Sequence, residues 1–204
     1  MDRKKVIIIG GGSGGLTAGL LLSSKEYDVE IYEKKPYIGG RTSSFRLGEY
    51  KFDLGPTFFI MPKILEDIFI ETGERLDEQL NLIEINPMYR LKFYGLDDFN
   101  PYSYNKKFLM YGEMEKIFPY NSKFYDEYME RERKKFLKLE SCLKVPYLSL
   151  ADYLKPNFLR LLPYLDIEKS AYDVLGDYYK NEELKLSFTF QAKYIGMSPW
   201  DAPG

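Results

Sequence analysis

Histidine is absent from the 204-residue sequence. That removes the commonest general base and a frequent metal ligand, and with them histidine-dependent triads and zinc sites. The single cysteine, Cys142, excludes an internal disulfide framework and any cysteine-cluster metal site. An excess of positive charge is missing too. Lys+Arg 29 against Asp+Glu 31 gives a formal net charge of -2 and a pI of about 5.5. The basic surface that nucleic-acid binding needs is therefore not there, and no nucleic-acid partner is expected. No apolar run approaches the ~20 residues needed to span a bilayer. The first one, Val6 to Ile9, ends in a glycine cluster instead of a small-residue cleavage site, so no secretory signal is expected. These absences predict a soluble cytoplasmic protein whose chemistry comes from carboxylates, lysine, tyrosine or a borrowed cofactor.

Alanine is scarce, whereas aromatics reach 17%, mostly Tyr 19 and Phe 14. This excess suits a large aromatic-lined cavity. It equally suits a genome whose codons favour Lys, Tyr, Ile, Asn and Phe, and the even spread of aromatics along the chain favours that plainer reading. A hydrophobic content of 45% with 29% charged residues is enough to bury a core. The length accommodates one ordinary domain or two small ones.

The β-branched run Lys5–Ile9 reads as a strand buried on both faces. A glycine cluster over Gly10–Gly15 follows, and Leu16–Leu22 begins a helix. Tyr27–Glu33 alternates as a second, parallel strand, completing a βαβ crossover. Downstream, Lys63–Thr72 has helical spacing and is stopped by Gly73. Strand-like segments are expected around Leu82–Ile85 and Met88–Tyr94, with Lys107–Tyr111 pairing to them. Asn121–Leu143 reads as an amphipathic helix whose Glu-Arg-Glu-Arg-Lys-Lys run faces solvent. Helical segments continue over Ser149–Tyr194, interrupted at Pro156 and Pro163. The predicted class is α/β: a Rossmann-like βαβ unit with an incomplete sheet over residues 1–75, then a mixed α+β, mainly helical region over 76–204. Only two parallel strands are evident, and the chain stops at Asp-Ala-Pro-Gly without a closing element, so a fragment of a longer protein is expected.

Gly10, Gly12 and Gly15 fit G-x-G-x-x-G between a strand and a helix, the setting in which this pattern signifies dinucleotide binding. Gly10 permits the tight turn, Gly12 lets backbone approach a pyrophosphate, and Gly15 lets helix and strand pack closely. The helix start supplies free N–H groups and a positive dipole end. Glu33, eighteen residues after Gly15, can accept hydrogen bonds from adenosine ribose hydroxyls and would repel a 2′-phosphate, which disfavours NADP. Lys34 or Lys35 adds charge near the adenosine or is simply solvated. Gly39-Gly40-Arg41 allows backbone to fold around a ligand with an arginine beside phosphate, or is a turn with an exposed arginine. Phe52–Thr57, with its Gly-Pro step, suits a rigid loop beside a flat ring or an ordinary turn.

Together, IIIGGGSGGLTAG, IYEKKPYIGGRTSSF and FDLGPT resemble the flavin-dependent amine oxidase and phytoene desaturase superfamily. The segment Phe188–Pro199 with Ala202-Pro203 resembles the FxFQxxYIGxSPxxAP stretch of bacterial carotenoid desaturases, which include phytoene and diapophytoene desaturases. The resemblance is specific at both ends of the chain and weak across residues 75–180. It implies non-covalent FAD. Gly10, Gly12, Ser13, Gly14 and Gly15 would hold the pyrophosphate, and Glu33 with Lys34 the adenosine side. Gly40 and Arg41 would flank the phosphates, and Gly55, Pro56 and Thr57 would lie nearer the flavin. It implies a polyisoprenoid hydrocarbon substrate in an apolar channel, and a longer enzyme carrying more of the sheet and a second glycine-rich FAD segment. Taken alone, the present chain is expected to bind FAD poorly and to be inactive.

The implied desaturation moves a hydride from an allylic carbon to flavin and a proton from its neighbour, leaving the protein to orient a hydrocarbon and exclude water. No metal is required, and no catalytic residue stands out among the many Asp, Glu and Tyr side chains. A carotenoid precursor lives in the bilayer, so peripheral contact with the inner face of the cell membrane is implied. Leu150–Leu165, apolar with Lys155 and Arg160, either docks there or packs inside the helical region. Other outcomes of the same resemblance are a carotenoid isomerase, a carotenoid-end oxygenase, or a non-catalytic prenyl-lipid-binding relative. The intact Gly12, Gly15 and Glu33 argue against the last.

Overall fold

The computed structural model describes residues 3–56 and 58–204 and divides the chain into two compact units, Met1–Ile83 and Glu84–Gly204.

In the first unit β1 (Lys5–Ile9) pairs in parallel with β2 (Asp28–Tyr32), placing Val6 beside Val29 and Ile8 beside Ile31. Between them runs α1 (Ser13–Ser24), whose buried Gly19 lets the helix lie close on Ile8 and Ile31. A Cβ on Gly19 would stand 2.8 Å from Ile31 Cδ1. The expected double burial of β1 is corrected here: Ile7 is 58% and Ile9 90% exposed. Alternate strand residues point to opposite faces, and α1 covers only one of them. A hairpin follows, β3 (Ser44–Leu47) with β4 (Tyr50–Asp53), turning at Gly48 with φ 62°. Its pairs Phe45–Phe52 and Leu47–Tyr50 share one face, with the two phenylalanine rings stacked at 5.3 Å. The helix α2 (Pro62–Glu71) starts on a proline and stops before Gly73, as its spacing predicted, and the short α3 (Leu76–Gln79) follows.

The second unit differs from expectation in its opening stretch. No strand forms over residues 81–94, and Lys107–Tyr111 is the first half of α4 (Lys107–Ile117). Helical spacing decides the matter, because Met110 and Met114, four residues apart, both enter the core. Residues 88–101 fold back as a ribbon held by Met88 N–H to Pro101 C=O (2.8 Å) and a reciprocal Leu91–Phe99 pair (2.9 Å each way). The long α5 (Tyr125–Leu143) comes next, then α6 (Pro156–Leu161), α7 (Ala171–Gly176) and α8 (Glu182–Thr189). Pro156 opens α6, and Pro163 lies in the first turn of a 3-10 segment at Leu162–Tyr164, where a proline's missing N–H costs nothing. A Ser170–Asp173 capping box starts α7, and the chain end packs back on it through Ala171 N–H to Ala202 C=O at 2.8 Å.

The core of this unit gathers Phe99, Met110, Met114, Phe118, Tyr125, Leu175, Tyr179 and Leu184. Each such side chain contributes about 1.5–3 kcal/mol by leaving water. The charge run on α5 is only partly a solvated face. Glu130, Arg133 and Lys134 pair near the surface, but Lys135 is 12% exposed and bonds Asp166 at 2.8 Å, joined there by Arg131. One turn of a helix carries its side chains right round the axis, so a run of six charges has to place some of them inward.

Candidate functional site

The glycine turn, Glu33 and the next two motifs meet in the first unit, and backbone groups bring them together. Gly10 leaves β1 with φ 107° and its N–H bonded to Tyr32 C=O at 2.8 Å. Gly12 sits at the start of α1, and the first helical bond runs from Leu16 N–H to its carbonyl at 2.9 Å. The N–H groups of Ser13, Gly14 and Gly15 therefore precede the helical ladder. The first turn of α1 carries no capping side chain and no acidic residue of its own, so its positive dipole end meets no charge from the helix itself. Gly15 packs on the Gly10 carbonyl so closely that a Cβ there would overlap it. Ser13 and Gly14 are exposed on the first turn.

Glu33 follows β2 directly, and its carboxylate reaches back over the turn. Oε2 accepts from Gly11 N–H at 2.8 Å and Oε1 from Lys35 N–H at 2.9 Å. These two backbone donors, Lys35 first and Gly11 second, hold the carboxyl below the usual range, so Glu33 is an anion at neutral pH. Each oxygen keeps a second lone pair for a ligand hydroxyl. Lys34 is exposed beside it.

Gly39 and Gly40 come next to the turn. Gly39 N–H donates to Gly11 C=O at 2.7 Å, Gly39 bridges Gly12, and a Cβ on Gly40 would stand 3.0 Å from Gly12 Cα. A 3-10 turn at Gly40–Thr42 carries Arg41, exposed. Ser43 is buried, donates its hydroxyl to Gly40 C=O at 2.7 Å, and accepts Leu54 N–H at 2.9 Å. Gly55 lies on the Arg41 carbonyl with no room for a Cβ, and Pro56 follows, exposed. Thr57 lies outside the described residues. Sequence reading gave no role of its own to Gly11, took Gly39 only as part of the Gly39-Gly40-Arg41 turn, and passed over Ser43. The doubled glycine at 39–40 was the available signal for Gly39; nothing local marks Ser43. The β3–β4 hairpin was also passed over, although Phe45, Leu47, Tyr50 and Phe52 alternate around a glycine turn.

Residues 8–69 match the family described as NAD(P)-binding Rossmann-like domain, which covers β1 to α2. Along nearly the whole chain, similarity extends further. The sequence is 38% identical over 202 residues to a 4,4'-diapophytoene desaturase (4,4'-diapolycopene-forming) of Methylomonas sp, covering 99% of this chain and 39% of that protein. By sequence, the chain is similar over nearly all its length to the N-terminal two-fifths of a carotenoid desaturase. A 4,4'-diapolycopen-4-al dehydrogenase of Metabacillus indicus is 32% identical over 98% of this chain and 40% of its own length. A zeta-carotene-forming phytoene desaturase of Myxococcus xanthus is 28% identical over 98% and 38%. The chain thus spans about two-fifths of the length of these curated proteins. No helix among the described residues is long and apolar enough to cross a membrane.

Proposed function

We propose that this chain is part of an FAD-dependent desaturase that introduces C=C bonds into a polyisoprenoid carotenoid precursor, phytoene or diapophytoene. The observation that carries the proposal is the 38% identity across 99% of the chain to a diapophytoene desaturase. The dinucleotide part is supported by the glycine turn closed over Glu33 and by the uncapped start of α1. In this reading residues 1–75 are the N-terminal part of the FAD-binding domain and residues 76–204 belong to the substrate-facing region.

Bound FAD would supply the hydride acceptor for each dehydrogenation step, the proton leaving from the neighbouring carbon. The chain's own contribution is positional. The N–H groups of Ser13, Gly14 and Gly15, with Gly10 and Gly12 leaving space, would hold the pyrophosphate. Glu33 would accept ribose hydroxyls with Lys34 nearby. Gly40 and Arg41 would flank the phosphates, and Gly55, Pro56 and Thr57 would border the ring system. Peripheral contact with the cytoplasmic face of the membrane is part of the proposal. It is supported by Leu148, Leu150 and Leu154, which are 88%, 87% and 71% exposed beside Lys155.

The test is expression of the complete reading frame with FAD and 4,4'-diapophytoene. Products lighter by two hydrogens per step are expected; unchanged mass or added oxygen overturns the desaturase reading. A second reading, oxidation at a carotenoid end, is favoured by the 32% identity to the diapolycopenal dehydrogenase. It predicts oxygen gain on an aldehyde substrate. For the membrane, flotation of wild type with anionic liposomes and its loss in Leu150→Asp/Leu154→Asp is expected, and equal flotation overturns the contact.

A further inference from the structure

Two cavities lie wholly within the Glu84–Gly204 unit. The first, about 420 Å³, is lined by Met88, Tyr89, Phe99, Tyr125 and Met129 among others. The second, about 330 Å³, is bordered by Val174, Leu175 and three alanines, Ala171, Ala192 and Ala202. In a chain whose other alanines are Ala18 and Ala151, this is where small side chains leave room. The cavities share one wall, made of Tyr128, Glu132 and Phe188.

That wall is built from the core outward. Phe188 stacks on the fully buried Tyr179 with centroids 5.3 Å apart and planes within 2°, and Tyr128 meets Phe188 edge-on at 5.4 Å. Glu132 is the one carboxylate among the described residues lining either cavity, and Arg131 and Lys135 (3.7 Å) neutralise it. No lysine or arginine lines either space among the described residues. Tyr89 donates its hydroxyl hydrogen bond to Ser187 C=O at 3.1 Å, and burial, with Tyr194 nearby, pushes its pKa up to about 12, so it stays neutral. A ligand there meets aromatic faces, methionine and methyl groups, which match a methyl-branched hydrocarbon and repel an ion. The size of each space lies in the lower range of small-molecule sites.

We propose that these cavities form one apolar site receiving the end of a linear isoprenoid hydrocarbon, with the Tyr128–Phe188 ring pair as the stop that sets how much of the chain enters. The proposal rests on the desaturase reading for its ligand class and adds specificity-determining residues to it. The two rings stand in the wall that the cavities share, so a chain end lying in the first cavity meets them before the second. Displacing them joins the second, and the accepted chain lengthens.

The test uses the protein from the complete reading frame and a fifteen-carbon farnesyl diazirine as photoprobe, with squalene as a thirty-carbon competitor. Labelled peptides are expected from segments 88–104 and 125–132. Ala192→Leu, which fills the second cavity, should leave farnesyl labelling unchanged and weaken squalene competition about tenfold, equivalent to about 1.4 kcal/mol. Phe188→Leu should shift label into 171–175 and 192–202 and improve squalene competition by about the same factor. Label mapping only elsewhere overturns the proposal without any variant, and so does wild-type competition in both folded variants. The readout needs neither flavin nor turnover. Cavity labelling without new double bonds would sink the desaturase reading alone, and desaturation with label elsewhere would sink only the cavity site.

Discussion

The two units solve the folding problem with different materials. Every well-buried large apolar side chain among the described residues, from Phe99 to Leu184, lies in the Glu84–Gly204 unit. In the Met1–Ile83 unit the buried positions are Gly11, Gly19 and Ser43, while Ile7, Ile9, Phe45 and Phe52 stand exposed. The first unit is shaped by close backbone approach: Gly39 on Gly11, Gly15 on Gly10, Gly55 on Arg41. Its geometry is set where hydrogen bonds and missing side chains leave one solution. The second unit is shaped by aromatic and methionine packing, which is tolerant in detail and leaves cavities where side chains are small. The comparison teaches that a closely defined backbone geometry can form in a unit that has buried almost no large apolar side chain of its own.

The largest test of this contrast is a matched pair of truncations. Phe99→Ala removes a ring packed edge-on to Phe118 at 5.1 Å and should cost roughly 3–5 kcal/mol in denaturant unfolding of the second unit. Ile9→Ala, at a residue 90% exposed, should change stability by no more than about 0.5 kcal/mol. Equal effects would break the contrast. Next comes Asp166→Asn, which leaves the half-buried Lys135 and Arg131 with Glu132 alone to share and should cost on the order of 2 kcal/mol.

The same aspartate gives a pH signature. Burial alone would raise its pKa, but the bonds from Lys135 and Arg131 outweigh burial and hold it below the ordinary 3.8. Because the folded-state value is the lower one, its contribution is complete above about pH 4 and is lost as the pH falls below that. Acid titration of unfolding free energy should show the loss in wild type and a flatter curve in Asp166→Asn.

In the first unit the sharpest contrast is between neighbouring glycines. Gly15→Ala forces a Cβ onto the Gly10 carbonyl, and opening the turn should cost roughly 1–3 kcal/mol and abolish the proposed FAD binding when the protein from the complete reading frame is titrated with flavin. Gly14→Ala has open space and should stabilise α1 by about 0.5–1 kcal/mol. The smallest expected effect is Glu33→Gln. It keeps an acceptor for one backbone N–H, loses the anion, and should weaken binding of an adenosine-bearing dinucleotide without changing the fold. Isothermal titration with FAD and with riboflavin separates the cases, because only FAD carries the adenosine that Glu33 would contact.

Local sequence was enough for the βαβ unit, α1, α2 and the helix at α5, because strand branching, a glycine turn and helical spacing are short-range properties. It was also enough to single out Gly10, Gly12, Gly15 and Glu33, whose spacing follows from one strand, one turn and one helix. It misread residues 81–111, where apolar alternation and helical spacing coexist and only the packing of Met110 and Met114 chooses between them. It treated the charges of α5 as solvated, because the partner Asp166 lies thirty-one residues beyond Lys135. Sequence alone thus determined the glycine turn between β1 and α1, since its geometry is written in neighbouring residues. Tertiary structure alone decided that Gly39 and Ser43 complete the turn, that one face of β1 is left bare, and that Tyr128 and Phe188 divide two cavities. Each of those depends on residues far apart in the chain meeting in space.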